Sequence, residues 1–323
     1  MMRTATRILL SLLAVAGIAC GGRPFAEGGS RDLTLVTALP PDSPEILLLR
    51  AIFERPAIRI EDESAYVVRI ANASDPRVYR ARTVFFVGCG PKRAIPKSLT
   101  HLARSLEGVR EPFVFSPDVW LRGQAAGILW TDRRADLLPA IQESQNRLFA
   151  GLDRATFATV RARLLALPRD SEAERKLQRL AGFGLRVPRG YEVRVDPGTG
   201  AALLLDPGPP ARLLRIVPGG GGSPGEEDLR RARAALARTF RPNERTLEPT
   251  DPTLTSGELT GARRQIHGRW EDAEVSAAGP YRFYEVARGG RRFYVDLAVF
   301  APGRPKLPYL RELQAIAETL SPR

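Results

Sequence analysis

Hydrophobic positions recur along this chain with two periods, near two residues in strand-like runs and near 3.6 in helix-like runs. "LTLVT" (residues 33–37) is a short β-rich run. It leads into "SPEILLLRAIFERP", which predicts a helix capped by Ser43, opened by Pro44 and ended by Pro56. "AYVVRIA" and "RTVFFVG" follow as predicted strands. In "PKSLTHLARSLEG", Leu99, Leu102 and Leu106 share one helical face. "VWLRGQAAGILWTD" predicts a long strand or hairpin. A helical region over 134–183 comes next, with breaks expected near 148–153 and at Pro168. Leu137, Ile141 and Leu148 line its first segment; Phe157, Val160 and Leu164 line the next.

The second half restarts with strands. "YEVRVD" alternates strictly, with Tyr191, Val193 and Val195 on one side. "AALLLD" and "ARLLRIV" continue the pattern. "GEEDLRRARAALARTF" predicts a helix with Leu229, Ala232, Leu236 and Phe240 inward, and with Glu226–Arg230 and Glu227–Arg231 paired four apart. Residues 241–255 look like a Pro- and Thr-rich loop. "RFYEVARGGRRFYVDLAVFAP" predicts two strands around a Gly-Gly turn, with Phe293, Val295, Leu297 and Val299 on one face. A closing helix carries Leu307, Leu310, Leu313, Ile316 and Leu320.

These elements give an α+β fold, mostly antiparallel sheet or sheets with packed helices. The two halves echo each other. "RTVFFVGCGPKRAIPKSLTHLARSL" can be set beside "ARLLRIVPGGGGSPGEEDLRRARAAL", and "VWLRGQAAGILW" beside "FYVDLAVFAP". Two readings follow: related lobes at 32–185 and 186–323 from an internal duplication, or one α+β domain over 32–323 without symmetry.

The start of the chain changes the picture. The run from Ile8 to Ile18 is uncharged, preceded by Arg3 and Arg7, and too short for a span of about 20 apolar residues. That layout is a secretory signal, residues 1–19. Ala19-Cys20 at its end resembles a bacterial lipobox, although Gly17 stands where Leu is usual. Cys20 is therefore the expected lipidation site, carrying several acyl chains as a stable anchor. The expected address is the cell envelope, at the outer membrane facing the periplasm, with the membrane as partner through that anchor. An ordinary cleaved signal with an incidental cysteine is the alternative. Residues 20–31, "CGGRPFAEGGSR", read as a flexible tether with only Phe25 to bury.

Composition adds limits. Apolar content of 43% and charged content of 26% suit a folded domain. The formal net charge is +13, of which a leader carrying Arg3 and Arg7 accounts for two. Such a surface draws anionic envelope components. The only lysines are Lys92, Lys97, Lys176 and Lys306, so the basicity is arginine, scattered with short clusters such as Arg230, Arg231 and Arg233. No basic block interleaves with aromatics, and nucleic acid is not expected as a partner. With Cys20 acylated, Cys89 has no partner for a disulfide and is expected as buried filler.

Catalytic motifs fail on their chemistry. Gly221-Gly222-Ser223-Pro224-Gly225 fits G-x-S-x-G, but the residue after the serine must lend an N–H to the oxyanion hole, and Pro224 has none. The same loop lacks a Gly-Lys-Ser/Thr ending, and Glu226, Glu227 and Asp228 behind it would repel a phosphate. His101 and His267 stand apart from other ligand residues, so no metal is expected. The acid pairs Asp62–Glu63 and Glu271–Asp272 read as surface. No cofactor is implied.

Several local patterns together resemble a family of bacterial envelope lipoproteins, typical of Bacteroidetes and relatives and classed as a domain of unknown function. They are Val119-Trp120-Leu121-Arg122-Gly123-Gln124, Pro188-Arg189-Gly190-Tyr191, Gly268-Arg269-Trp270 with Gly279-Pro280, and the ending "APGRPKLPYLRELQAIAETL". The resemblance implies no activity or ligand. It marks Trp120, Arg122, Gln124, Trp270 and Arg311 as a candidate binding surface, with two aromatic anchors and donors for an anionic or carbohydrate partner. The competing reading puts both tryptophans in the core. The function expected is a non-catalytic binding or assembly factor. An envelope hydrolase with an unrecognised site is the alternative, distinguished by a deep pocket with converging polar groups.

Overall fold

A computed structural model describes residues 23–58, 62–107, 109–219, 225–247 and 259–322. The first half holds β1 (Asp32–Val36), α1 (Pro44–Phe53), the short pair β2 (Pro56–Ile58) and β3 (Glu63–Ser64), and β4 (Val67–Ala71). It continues with β5 (Thr83–Cys89), α2 (Thr100–Ser105), β6 (Phe113–Pro117) and β7 (Ala125–Thr131). The sheet order is β4-β1-β5-β7-β6. Its pairs are parallel except β6 against β7. Parallel strands are covered on both faces, which explains the unbroken apolar run of β5. Val84 and Phe86 point into a cluster with Leu99 and Leu102 around α2. Phe85 and Val87 point the other way, into the main core.

A single long helix, α3 (Leu137–Leu165), joins the halves. The break expected near 148–153 is absent. The helix continues through Gly151, where a Cβ would meet the Phe115 ring at 2.7 Å, so the bare residue lets β6 pack close. The break at Pro168 is real, and α4 (Ser171–Leu180) follows it.

The second half contains β8 (Phe183–Gly184), β9 (Glu192–Asp196), β10 (Ala201–Asp206), β11 (Ala211–Pro218) and α5 (Glu226–Phe240). It then runs through β12 (Glu244–Thr246), β13 (Ala262–Asp272), β14 (Ala277–Arg288), β15 (Arg291–Phe300), α6 (Leu307–Ala317) and β16 (Ser321–Pro322). Seven of these strands form an antiparallel half-barrel in the order β12-β13-β14-β15-β11-β10-β9, and β16 pairs with β8. The Gly289-Gly290 turn has both φ angles positive, 51° and 77°, as a two-residue hairpin with right-handed twist requires. Phe293, Val295, Leu297 and Val299 face the main core, beside Leu310 and Leu313 of α6. The opposite face, with Tyr281, Phe283 and Trp270, packs under α5.

The class is α+β, as the periodicities imply. The halves differ in strand direction: β5 lies between parallel neighbours, whereas β11, its counterpart in the sequence echo, lies between antiparallel ones. One apolar core runs through both, from Leu33 to Leu320. The Glu63 carboxylate also crosses between them. It accepts from the Lys306 N–H at 2.7 Å and the Leu307 N–H at 3.1 Å, capping α6 from the first half. This side chain is buried, not on the surface as its pairing with Asp62 suggested.

Two further expectations are corrected. Residues 119–124 form a loop between β6 and β7, not a strand. The stretch read as a flexible tether is docked over residues 24–27. Ala26 N–H donates to Arg122 O at 3.0 Å, Arg122 N–H to Pro24 O at 3.0 Å, Glu27 N–H to Arg80 O at 2.8 Å and Arg82 N–H to Glu27 O at 2.7 Å. Composition measures apolar burial, and this docking is by backbone hydrogen bonds. Cys20 and Ser223 lie outside the described residues.

Candidate functional site

The 118–124 loop is built around Gln124. Its side chain is fully buried; Nε2 donates to Tyr79 O at 3.0 Å and Ala81 O at 2.8 Å, while Oε1 accepts from the Trp120 N–H at 3.1 Å. Asp118 Oδ1 accepts from the Gly123 N–H at 2.6 Å. Gly123 supports this turn with a φ of +73°. Trp120 is half-buried, edge-on to Tyr79 and Phe86 at centroid distances of 5.1 and 5.7 Å. Arg122 is left pointing outward, with its guanidinium 5.1 Å from the Phe25 ring.

This loop forms one wall of a groove of about 540 Å³ at the N-terminal end of the parallel sheet. Phe25 and Ala26 form a second wall, and Thr159, Val160, Ala162, Arg163, Ala166 and Leu167, at the C-terminal end of α3, a third. Phe25 and Leu167 are large exposed hydrophobics at its rim. The charged residues are Arg82, Arg122 and Arg163 against Asp118 alone. Arg163 bonds Glu312 at 2.9 Å. Arg82 is half-buried, and its guanidinium makes no hydrogen bond or ion pair with any described residue. Burial, then the nearby charge of Arg163, pull its pKa below the ordinary arginine value, with Asp32 opposing. The negative charge of an anion here would oppose both causes.

A second cavity of about 550 Å³ lies at the opposite end of the same sheet, lined by Lys92, Arg104, Trp130, Asp132 and Asp136 among others. Ligands often bind beyond the carboxyl ends of parallel strands. Its signs nearly cancel, however. Lys92, Arg104 and Arg110 face Glu107, Glu111, Asp132 and Asp136, and Trp130 Nε1 is already donated to Gly90 O at 2.8 Å. The first groove carries the more definite chemistry.

The five candidate residues do not form one surface. Trp120, Arg122 and Gln124 share the loop, and only Arg122 lines the groove. Trp270 is fully buried under α5, so its ring is core. Arg311 is buried at the junction of the halves, ion-paired with Asp153 and stacked 5.3 Å over the Tyr66 ring. The family patterns there mark packing.

The sequence reading missed two features. Arg82 and Arg163 each follow another arginine by two positions and belong to no motif, and only the fold brings them to Arg122. Arg233, grouped in the sequence with Arg230 and Arg231, is fully buried with Arg215, Glu244 and Asp296 in a closed ion network. On α5, Arg231 pairs with Asp228 instead of Glu227, which pairs with Arg230. Cys89 is half-buried, not buried. No group of three metal-ligating side chains occurs among the described residues. No helix among them is long and apolar enough to cross a membrane.

Residues 241–319 match a protein family described as a domain of unknown function, DUF4837. The match takes in β12 to α6, with Trp270 and Arg311, and stops short of the groove. A crystal structure of a Bacteroides thetaiotaomicron protein is similar at 14% identity and a TM-score of 0.26, over 44% of this chain and 45% of that one. The chain thus spans less than half the length of that relative. No curated protein matches the chain.

Proposed function

We propose that this chain, whose residues 241–319 match a domain of unknown function, is a lipid-anchored envelope protein that binds a ligand without transforming it. The observation that carries this reading is the position of the basic groove beside the N-terminus. Phe25 and Ala26 form its wall, and Cys20 precedes them by a few residues. Four extended residues reach roughly 14 Å. An acyl anchor at Cys20 would therefore hold the groove close to a membrane surface.

The polar groups that converge in the groove are guanidiniums. Arginine binds anions well but does not exchange protons near neutral pH, so this lining suits recognition better than acid–base chemistry. Thr159, the hydroxyl on the wall, donates to Thr156 O at 2.8 Å, and among the described residues lining the groove there is no histidine and no carboxylate but Asp118.

Two measurements test the reading. Mass spectrometry of protein from a native-like host should show an N-terminus at Cys20 carrying acyl chains, and Cys20→Ser should move the protein to the soluble fraction. Arg122→Glu should fold normally yet fail to rescue a deletion strain. A Cys20→Ser protein that stays membrane-bound, or full rescue by Arg122→Glu, counts against it.

A further inference from the structure

We propose that the groove between residues 25–26, the 118–124 loop and the end of α3 receives the headgroup of an anionic phospholipid from the adjoining bilayer. This deepens the anchored-binding reading and rests on it for the presence of that bilayer.

Charge argues for an anion. Three arginines meet one carboxylate, and that carboxylate, Asp118, already accepts from the Gly123 N–H. Arg163 is shared with Glu312, so Arg82 and Arg122 are the guanidiniums left to bind. A phosphodiester offers two oxygens that match a guanidinium fork. Shape argues for an amphiphile instead of a free anion. Beside the arginines lie Val160, Ala166 and Leu167, an apolar strip along which the glycerol end of an acyl chain can lie. Phe25 is 65% exposed and Leu167 47% exposed, and such side chains at a groove mouth gain by entering the headgroup–acyl boundary. Position argues for a membrane lipid, because the docked residues 24–27 set the mouth of the groove a few residues from the predicted acylated cysteine. A neutral surface would leave Arg82 half-buried beside Arg163, with Asp32 the one carboxylate acting on it.

The test uses the mature chain, residues 20–323, carrying Cys20→Ser so that no acyl chain contributes. All contacts described above lie within it. Sedimentation with vesicles of phosphatidylcholine alone, or of phosphatidylcholine and phosphatidylglycerol in equal parts, measures partitioning. Binding should require phosphatidylglycerol. Arg82→Gln with Arg122→Gln should weaken it roughly 30-fold, at about fivefold per arginine near an anionic surface. Arg230→Gln with Arg231→Gln, on α5 away from the groove, removes the same charge and should weaken it less than about twofold, the long-range share that salt screens. Equal losses for both pairs would mean that diffuse charge does the binding, and would overturn the proposal. Equal binding to both vesicle types would overturn it too. If the groove variant melts below the parent, Leu167→Glu at the exposed rim replaces it, and unchanged partitioning of that variant overturns the proposal. Acylation of Cys20 is scored separately by mass spectrometry, so a missing anchor and a missing headgroup site give different results.

Discussion

Arg215 on β11 and Asp296 on β15 are directly opposed across the antiparallel ladder, and Arg215 Nη1 lies 2.6 Å from Asp296 Oδ2 with both side chains fully buried. Glu244 and Arg233 complete a quartet. Arg233 Nη2 donates to Glu244 Oε1 at 2.7 Å, and its guanidinium stacks 4.2 Å from the Tyr281 ring centroid. Two cations and two carboxylates cancel, so the group is tolerated under α5 only as a whole. Asp296→Ala should lower stability by about 3–5 kcal/mol, because it strands a buried arginine. Chemical denaturation measures this. A loss under about 1 kcal/mol would mean that water reaches the site.

Glu63 offers a second test of how the halves are joined. Lys306 at the start of α6 provides no side-chain cap, and the two N–H groups there are satisfied by Glu63 from the other half of the chain. Glu63→Ala should cost about 1–2 kcal/mol, the usual loss of a helix cap. Hydrogen exchange should rise first at Lys306 and Leu307, and an unchanged exchange pattern would argue against the cap.

Local period made most elements readable, and non-local pairing hid the rest. The strands at 83–89, 211–218 and 291–300 follow from runs of apolar and β-branched residues. Nothing in "RTVFFVG" states that its neighbours are parallel; that depends on the crossovers through α1 and α2. Gly151 signals a helix break in isolation, and the Phe115 ring that needs its missing Cβ is 36 positions away. Arg215 and Asp296 each interrupt an apolar strand, and that interruption was a legible sign of a buried pair. Arg233, flanked by Arg230 and Arg231, carried no such sign. The groove was readable only through Arg122, since Arg82, Arg163 and Phe25 meet it through the fold.

Alkali should unfold the protein through its buried tyrosines. Burial raises the pKa of Tyr66 and of Tyr191, opposed by Arg311 and Arg212 respectively. Burial pushes Tyr281 up to about 12, with Arg233 opposing. A folded pKa above the unfolded value of 10.0 contributes stability that is complete below pH 10 and is lost as pH climbs toward the folded value. Tyrosinate absorbance and circular dichroism should change together above about pH 10. Ionisation of all seven tyrosines with the fold intact would refute this.

The two tryptophans that looked alike in sequence should now behave differently. Trp270 is fully enclosed among Ile266, Tyr281 and Leu236, with the Arg241 guanidinium 5.7 Å from its ring. Its strand neighbour Gly279 has no room even for a methyl group, whose carbon would lie 1.9 Å from Val299 O, so that position offers no side chain to fill the gap. Trp270→Ala should therefore cost about 3–5 kcal/mol, a large part of the stability of a typical domain. Trp120 is half-buried and touches Tyr79 and Phe86 by their ring edges. Only its backbone N–H is held, by Gln124 Oε1, and that bond survives truncation of the side chain. Trp120→Ala should cost about half as much as Trp270→Ala, since a half-exposed ring gives up less apolar area. It should also loosen the wall that carries Arg122, and so weaken vesicle binding while the protein remains folded at room temperature. Melting curves and sedimentation on the same two variants decide. If Trp120→Ala unfolds as far below the parent as Trp270→Ala does, the loop is as much core as the sheet beneath α5. If it melts close to the parent and binds vesicles normally, the loop does not position Arg122.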